Sequence, residues 1–115
     1  MSLPACDGLD LDEVLELTHD RDPRRRTWAV RQLCPCHLKR NDARVWDRLI
    51  AMATDDDPHV RSTVLHVLCD GSPRSREQEV IAALQRMQQD TDVGLRRRAR
   101  KVLAQYRRTG IVNVL

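Results

Sequence analysis

The sequence predicts an all-α fold, a right-handed solenoid of three helix pairs built from about six helices. Three observations predict it. A shift of 35 residues brings three copies of one pattern into register, apolar residues within each copy recur at helical spacing, and an Asp-Pro step or its counterpart divides each copy in two.

The register is visible column by column. Asp20, Asp55 and Asp90 coincide, followed by Asp22, Asp57 and Asp92, then Pro23, Pro58 and Val93. Further on come Arg26, Arg61 and Arg96, then Ala29, Val64 and Ala99, then Leu33, Leu68 and Leu103. Upstream the same shift matches Leu11, Trp46 and Ile81, then Val14, Leu49 and Leu84, then Leu17, Met52 and Met87. A fixed period over three copies marks a stacked repeat protein, with units at about 9–36, 42–70 and 74–107 of one domain spanning 1–115.

In the first helix of each unit the apolar residues fall three and four apart: Leu11, Val14, Leu15 and Thr18; Val45, Trp46, Leu49, Ile50 and Ala53; Val80, Ile81, Leu84 and Met87. The second helix starts at Asp22-Pro23 and Asp57-Pro58. There the carboxylate accepts orphan amide donors, and proline at the first helical position loses nothing by lacking an N–H. Pro35, Gly71, Pro73 and Gly110 close the units. Phe is absent and aromatics make up only 3% of the chain, which argues against a sheet.

The stretches "DRDPRRRTWAVRQL", "DDDPHVRSTVLHVL" and "DTDVGLRRRARKVL" resemble the D-x-D-P-x-V-R-x-x-A-x-x-x-L turn and second helix of HEAT repeats, in particular the short type found in phycobilisome lyases. The resemblance covers three units, nearly the whole chain. Tetratricopeptide and ankyrin signatures are missing. Arg25 stands where the family has an aliphatic residue, and Val93-Gly94 replaces Asp-Pro-like chemistry, both in terminal units, where capping repeats deviate. The resemblance implies that Arg26, Arg61 and Arg96 lace neighbouring units together through turn aspartates, and the expected partners are the Asp22, Asp57 and Asp92 column.

The resemblance also implies an inner concave wall formed by the second helices. With Ala29 and Leu33 facing the core, that wall receives Arg24, Thr27, Trp28 and Arg31, then His59, Ser62, Thr63 and His66, then Gly94, Arg97, Arg98 and Lys101, with no acid among them. Arg24, Trp28, Arg31, His59, His66, Arg97, Arg98 and Lys101 are the candidate partner-binding residues. They suit an acidic protein surface or a nucleic-acid backbone, with Trp28 able to stack. The expected function is a non-enzymatic interaction or scaffold module, with backbone binding to nucleic acid as the alternative.

No convergent catalytic set is evident, no cofactor is expected, and no glycine loop cradles a phosphate. HEAT-like DNA glycosylases resemble roughly twice this length of chain, and nothing singles out a bilin site. "CPCH" has thiolate and imidazole chemistry suited to zinc. Joining Cys34, Cys36, His37 and Cys69 in one site would however demand a helix end bent to order, so Cys34 and Cys69 are expected in the inter-repeat core instead.

The formal net charge is +3, unevenly spread: residues 1–20 sum to −6 and residues 94–109 to +7. Membrane-spanning and signal-peptide patterns are missing, so a cytoplasmic protein with reduced thiols is expected. The opposed end charges and the apolar tail Ile111, Val112, Val114 and Leu115 suggest a monomer or weak head-to-tail self-association.

Overall fold

A computed structural model describes residues 10–35 and 42–114. Six α-helices and no strand occur among the described residues: α1 (Leu11–Leu17), α2 (Pro23–Gln32), α3 (Ala43–Ala51), α4 (Pro58–Leu68), α5 (Glu77–Met87) and α6 (Val93–Thr109). Short 3-10 turns at Met52–Thr54 and Arg74–Arg76 follow α3 and precede α5. The helices pack as an all-α solenoid. α1 lies on α2, α3 on α4 and α5 on α6, while α2 stacks on α4 and α4 on α6.

The helix starts follow from the sequence. Asp22 Oδ1 accepts the Arg24 amide at 2.9 Å, and Asp57 Oδ1 accepts the His59 and Val60 amides at 2.8 and 3.1 Å, each ahead of a proline in the first turn. Asp92 Oδ2 caps α6 through the Leu95 amide at 2.9 Å without the proline. Gly110 closes α6 at φ +71°, and Gly71 turns the chain after α4 at φ +105°, backbone conformations that favour glycine.

The repeat columns are the core. Ala29, Val64 and Ala99 are fully buried, as are Leu33, Leu68 and Leu103 one turn on. From the first helices, with Met52 of the 3-10 turn after α3, Trp46, Leu49, Ile81, Leu84 and Met87 join them. A fully buried Leu or Val contributes about 1.5–3 kcal/mol of apolar transfer, so this continuous seam is the main force joining the units.

A ladder of arginines runs along the turns, and its aspartates differ from the expected ones. Arg26 grips Asp55 through Nε and Nη2, both at 3.0 Å, and Arg61 grips Asp90 at 2.8 and 2.9 Å. The partners are thus Asp55 and Asp90, which belong to the earlier of the two aspartate columns. Asp22, Asp57 and Asp92 are occupied as helix caps, which turns their carboxylates toward the first amides of their own helices. In each rung Nη1 also reaches back to its own unit's turn, from Arg26 to the Asp20 carbonyl at 2.9 Å and from Arg61 to the Asp55 carbonyl at 2.7 Å. Arg96 makes the equivalent backbone contact, to the Asp90 carbonyl at 2.9 Å. At the leading end Arg25, the departure from the family pattern, pairs with Asp20 at 3.4 Å.

The first helices carry a second row of links. Arg48 donates to the Thr18 hydroxyl at 2.8 Å and carbonyl at 3.1 Å, Arg44 pairs with Asp12 at 2.7 Å, and Arg76 with Asp47 at 2.6 Å.

The tail folds back against its own chain, so less of it is exposed than its apolar sequence suggests. Val112 is buried and Val114 half-buried, leaving Ile111 exposed; Leu115 lies outside the described residues. Asn113 Oδ1 accepts the Gly71 and Ser72 amides, both at 2.8 Å, and Asn113 Nδ2 donates to the Ser72 carbonyl at 3.1 Å.

Candidate functional site

The second helices α2, α4 and α6 present a cleft of about 420 Å³. Its lining comes from all three. Arg31 is the contribution of α2 and Arg98 that of α6, while α4 supplies His59, Ser62, Thr63 and His66; Cys34 and Val67 complete the lining. The side chains reach one place because His59, Ser62, Thr63 and His66 lie three, four and seven apart on one face of α4, and the register of the stack sets Arg31 and Arg98 on either side.

Arg98 is half-buried and donates through Nη1 to Ser62 Oγ, which fixes the guanidinium while leaving the Ser62 proton to donate elsewhere. Thr63 spends its proton on the His59 carbonyl at 3.0 Å, so its oxygen only accepts. None of the cleft's lining residues is acidic. One carboxylate stands beside it, a correction to the acid-free wall: Asp70 Oδ2 lies 3.8 Å from His66 Nε2 and accepts from Cys34 Sγ at 3.3 Å.

Of the eight candidate residues, the structure thus brings Arg31, His59, His66 and Arg98 together. Lys101 lines a neighbouring notch that shares Arg98. Arg24 is exposed and tied to its helix cap, Asp22, at 3.1 Å, a contact that holds the Asp22 carboxyl below the usual carboxylate range. Arg97 is exposed outside the cleft lining. Trp28 is partly buried and packs against the core, so part of its indole face is already covered. Thr27, placed on the wall by spacing, is instead buried, and its Oγ1 is the buried side-chain polar atom without a hydrogen-bond partner among the described residues.

Sequence reasoning missed the apolar part of the site. Leu65, Val102 and Val114 line the notch beside Lys101, and of these the sequence pattern singles out only Val114, as part of the apolar tail. The available signal was that Val102 follows Arg98 by one helical turn.

Of the possible thiol and imidazole ligands, Cys36 and His37 lie outside the described residues. Cys69 is fully buried, and burial pushes its thiol up to about 12 against the opposing charge of Arg98, so it stays protonated at neutral pH. Among the described residues no group of three or more His, Cys, Asp or Glu is placed to hold a metal ion, and no helix is long and apolar enough to cross a membrane.

Comparison with curated proteins and with solved structures gives no match. A family model for HEAT repeats matches residues 11–104, from the first residue of α1 into α6, and with the stacked helix pairs and the arginine ladder this places the chain in the HEAT-repeat family.

Proposed function

We propose that the chain is a non-enzymatic protein-interaction module whose basic cleft receives an acidic surface of its partner. HEAT repeats are generally protein-interaction scaffolds. One observation carries the finer reading: Arg31 and Arg98 flank two imidazoles and two hydroxyls in one cleft that no acidic side chain lines. A guanidinium fork meets a carboxylate with two parallel hydrogen bonds, and Arg98 is already held by Ser62, so little side-chain freedom is lost on binding. The two guanidiniums and two hydroxyls among the lining groups are suited to holding an anion.

The same donors suit a phosphate backbone, which is the second reading. Trp28 favours the protein reading, since an indole packed on the core offers less face for stacking a base.

The test is titration of the chain with an acidic peptide and, separately, with a single-stranded oligonucleotide at several salt concentrations. Peptide affinity should fall at least about tenfold when Arg31→Ser and Arg98→Gln are combined, with helix content unchanged. Undiminished affinity in that variant would remove the cleft from the interface. Preference for the oligonucleotide, with log affinity linear in log salt, would install the second reading.

A further inference from the structure

Beside the basic cleft lies a notch of about 320 Å³, lined by Leu65 of α4, by Arg98, Lys101, Val102 and Gln105 of α6, and by Val114 of the tail. Its base is core surface: Leu65 is 0% and Val102 4% exposed, and Val114 packs against the same cluster. The tail builds this wall because Gly110 turns the chain at φ +71°, Val112 is buried and Asn113 is hydrogen-bonded to Gly71 and Ser72. Arg98 lines both depressions, and its guanidinium donates to Ser62 of the cleft. Lys101 adds a cation to the notch, and no acidic side chain lines either depression.

We propose that cleft and notch form one bipartite site for an extended acidic peptide, which sets a carboxylate in the cleft and an apolar side chain in the notch. The proposal rests on the binding function assigned to the cleft and adds the partner's sequence chemistry. The cleft centres on α4 and the notch on α6. Stacked helices lie about 8–10 Å apart, and a chain extended as polyproline II advances about 3.1 Å per residue with about three residues per turn, so two side chains about three residues apart face the same way across that distance. An extended peptide crossing the helices is therefore recognised by an acidic residue and an apolar one at that spacing. A sugar-phosphate backbone has no group to fill an aliphatic notch, so the notch selects for protein.

The test uses the full chain and fluorescein-labelled peptides of about ten residues in Ser, Gly and Glu. One carries Leu three residues from a Glu, a second has that Leu→Ser, and a third keeps Leu but has every Glu→Gln. The Leu peptide should bind on the order of tenfold more tightly than its Leu→Ser form, and the Gln form should not bind measurably. In Val114→Ser, with helix content unchanged, the preference for Leu should shrink toward unity. Equal binding of the Leu and Ser peptides, or a preference that survives Val114→Ser, overturns the bipartite site while leaving the basic cleft as a carboxylate receptor. Failure of every acidic peptide to bind overturns the assigned binding function as well, a result distinct from loss of the Leu preference alone.

Discussion

Arg61 holds both oxygens of the Asp90 carboxylate, through Nε at 2.8 Å and Nη2 at 2.9 Å, while its Nη1 holds the Asp55 carbonyl at 2.7 Å. One side chain thus ties the turn of its own unit to the turn of the next. Both partners are largely shielded, with side-chain exposures of 12% and 9%, so solvent screens the pair less than an exposed one.

Replacing Arg61 with Met should therefore destabilise the fold by about 1–3 kcal/mol, because a shielded carboxylate and a turn carbonyl lose their donor together. Chemical denaturation reads this directly. Arg24→Met, which removes an exposed pair with a helix cap, is the control and should change the midpoint far less; equal midpoints for Arg61→Met and wild type would show that apolar stacking alone sets the register.

The same pair gives stability an acid limit. Burial works against the Asp90 charge, but hydrogen bonds from Arg61 and the Asp92 amide, with the charges of Arg61 and Arg96, outweigh it and hold the carboxyl below its usual range. A depressed folded-state value means that the contribution is present above the unfolded carboxylate value of about 3.9 and is lost as pH falls through the folded one. Melting temperature should drop below about pH 4, and Asp90→Asn, less stable at neutral pH, should lose less over that window. An identical acid slope for the two proteins would assign the sensitivity to other carboxylates.

Thr27→Val should raise stability by about 1 kcal/mol, since it removes a buried hydroxyl that has no hydrogen-bond partner and keeps the branched shape. A lower melting temperature in the Val variant would mean that the hydroxyl has a partner in solution.

Asn113→Ala should loosen the turn after α4, because the Gly71 and Ser72 amides lose a shared acceptor at 2.8 Å. Hydrogen exchange at those two amides should accelerate by about tenfold or more, and global stability should fall by about 1–2 kcal/mol. Unchanged exchange would show that the buried Val112 alone fixes the tail.

The architecture was legible because the periodicity is carried by burial. Columns such as Ala29, Val64 and Ala99 must stay apolar to pack, so they recur visibly in the sequence. The choice between two aspartate columns was harder, since Asp55 and Asp57 are two residues apart in one turn and spacing alone treats them alike. Capping physics separates them. The carboxylate next to proline folds over its own helix amides and leaves the earlier one to reach outward, as His59 N on Asp57 and Arg26 on Asp55 show. Half of the candidate wall residues converge, because a helical face predicts direction but not neighbours: Arg24 is diverted to Asp22, and Trp28 leans into the core. The notch was illegible because Val114 reaches it only after a glycine turn and a contact spanning 42 residues, from Gly71 to Asn113.

Each rung of the arginine ladder joins residues 29 apart, Arg26 with Asp55 and Arg61 with Asp90. The central unit therefore contributes an acceptor, Asp55, to the unit before it and a donor, Arg61, to the unit after it, in the same frame. A gene segment duplicated in whole units would carry both halves of the contact, so the inserted copy would meet its neighbours with the pairing already specified. Lengthening such a protein needs no new interface to be invented, whereas a duplication of any other length would break the frame at its first turn.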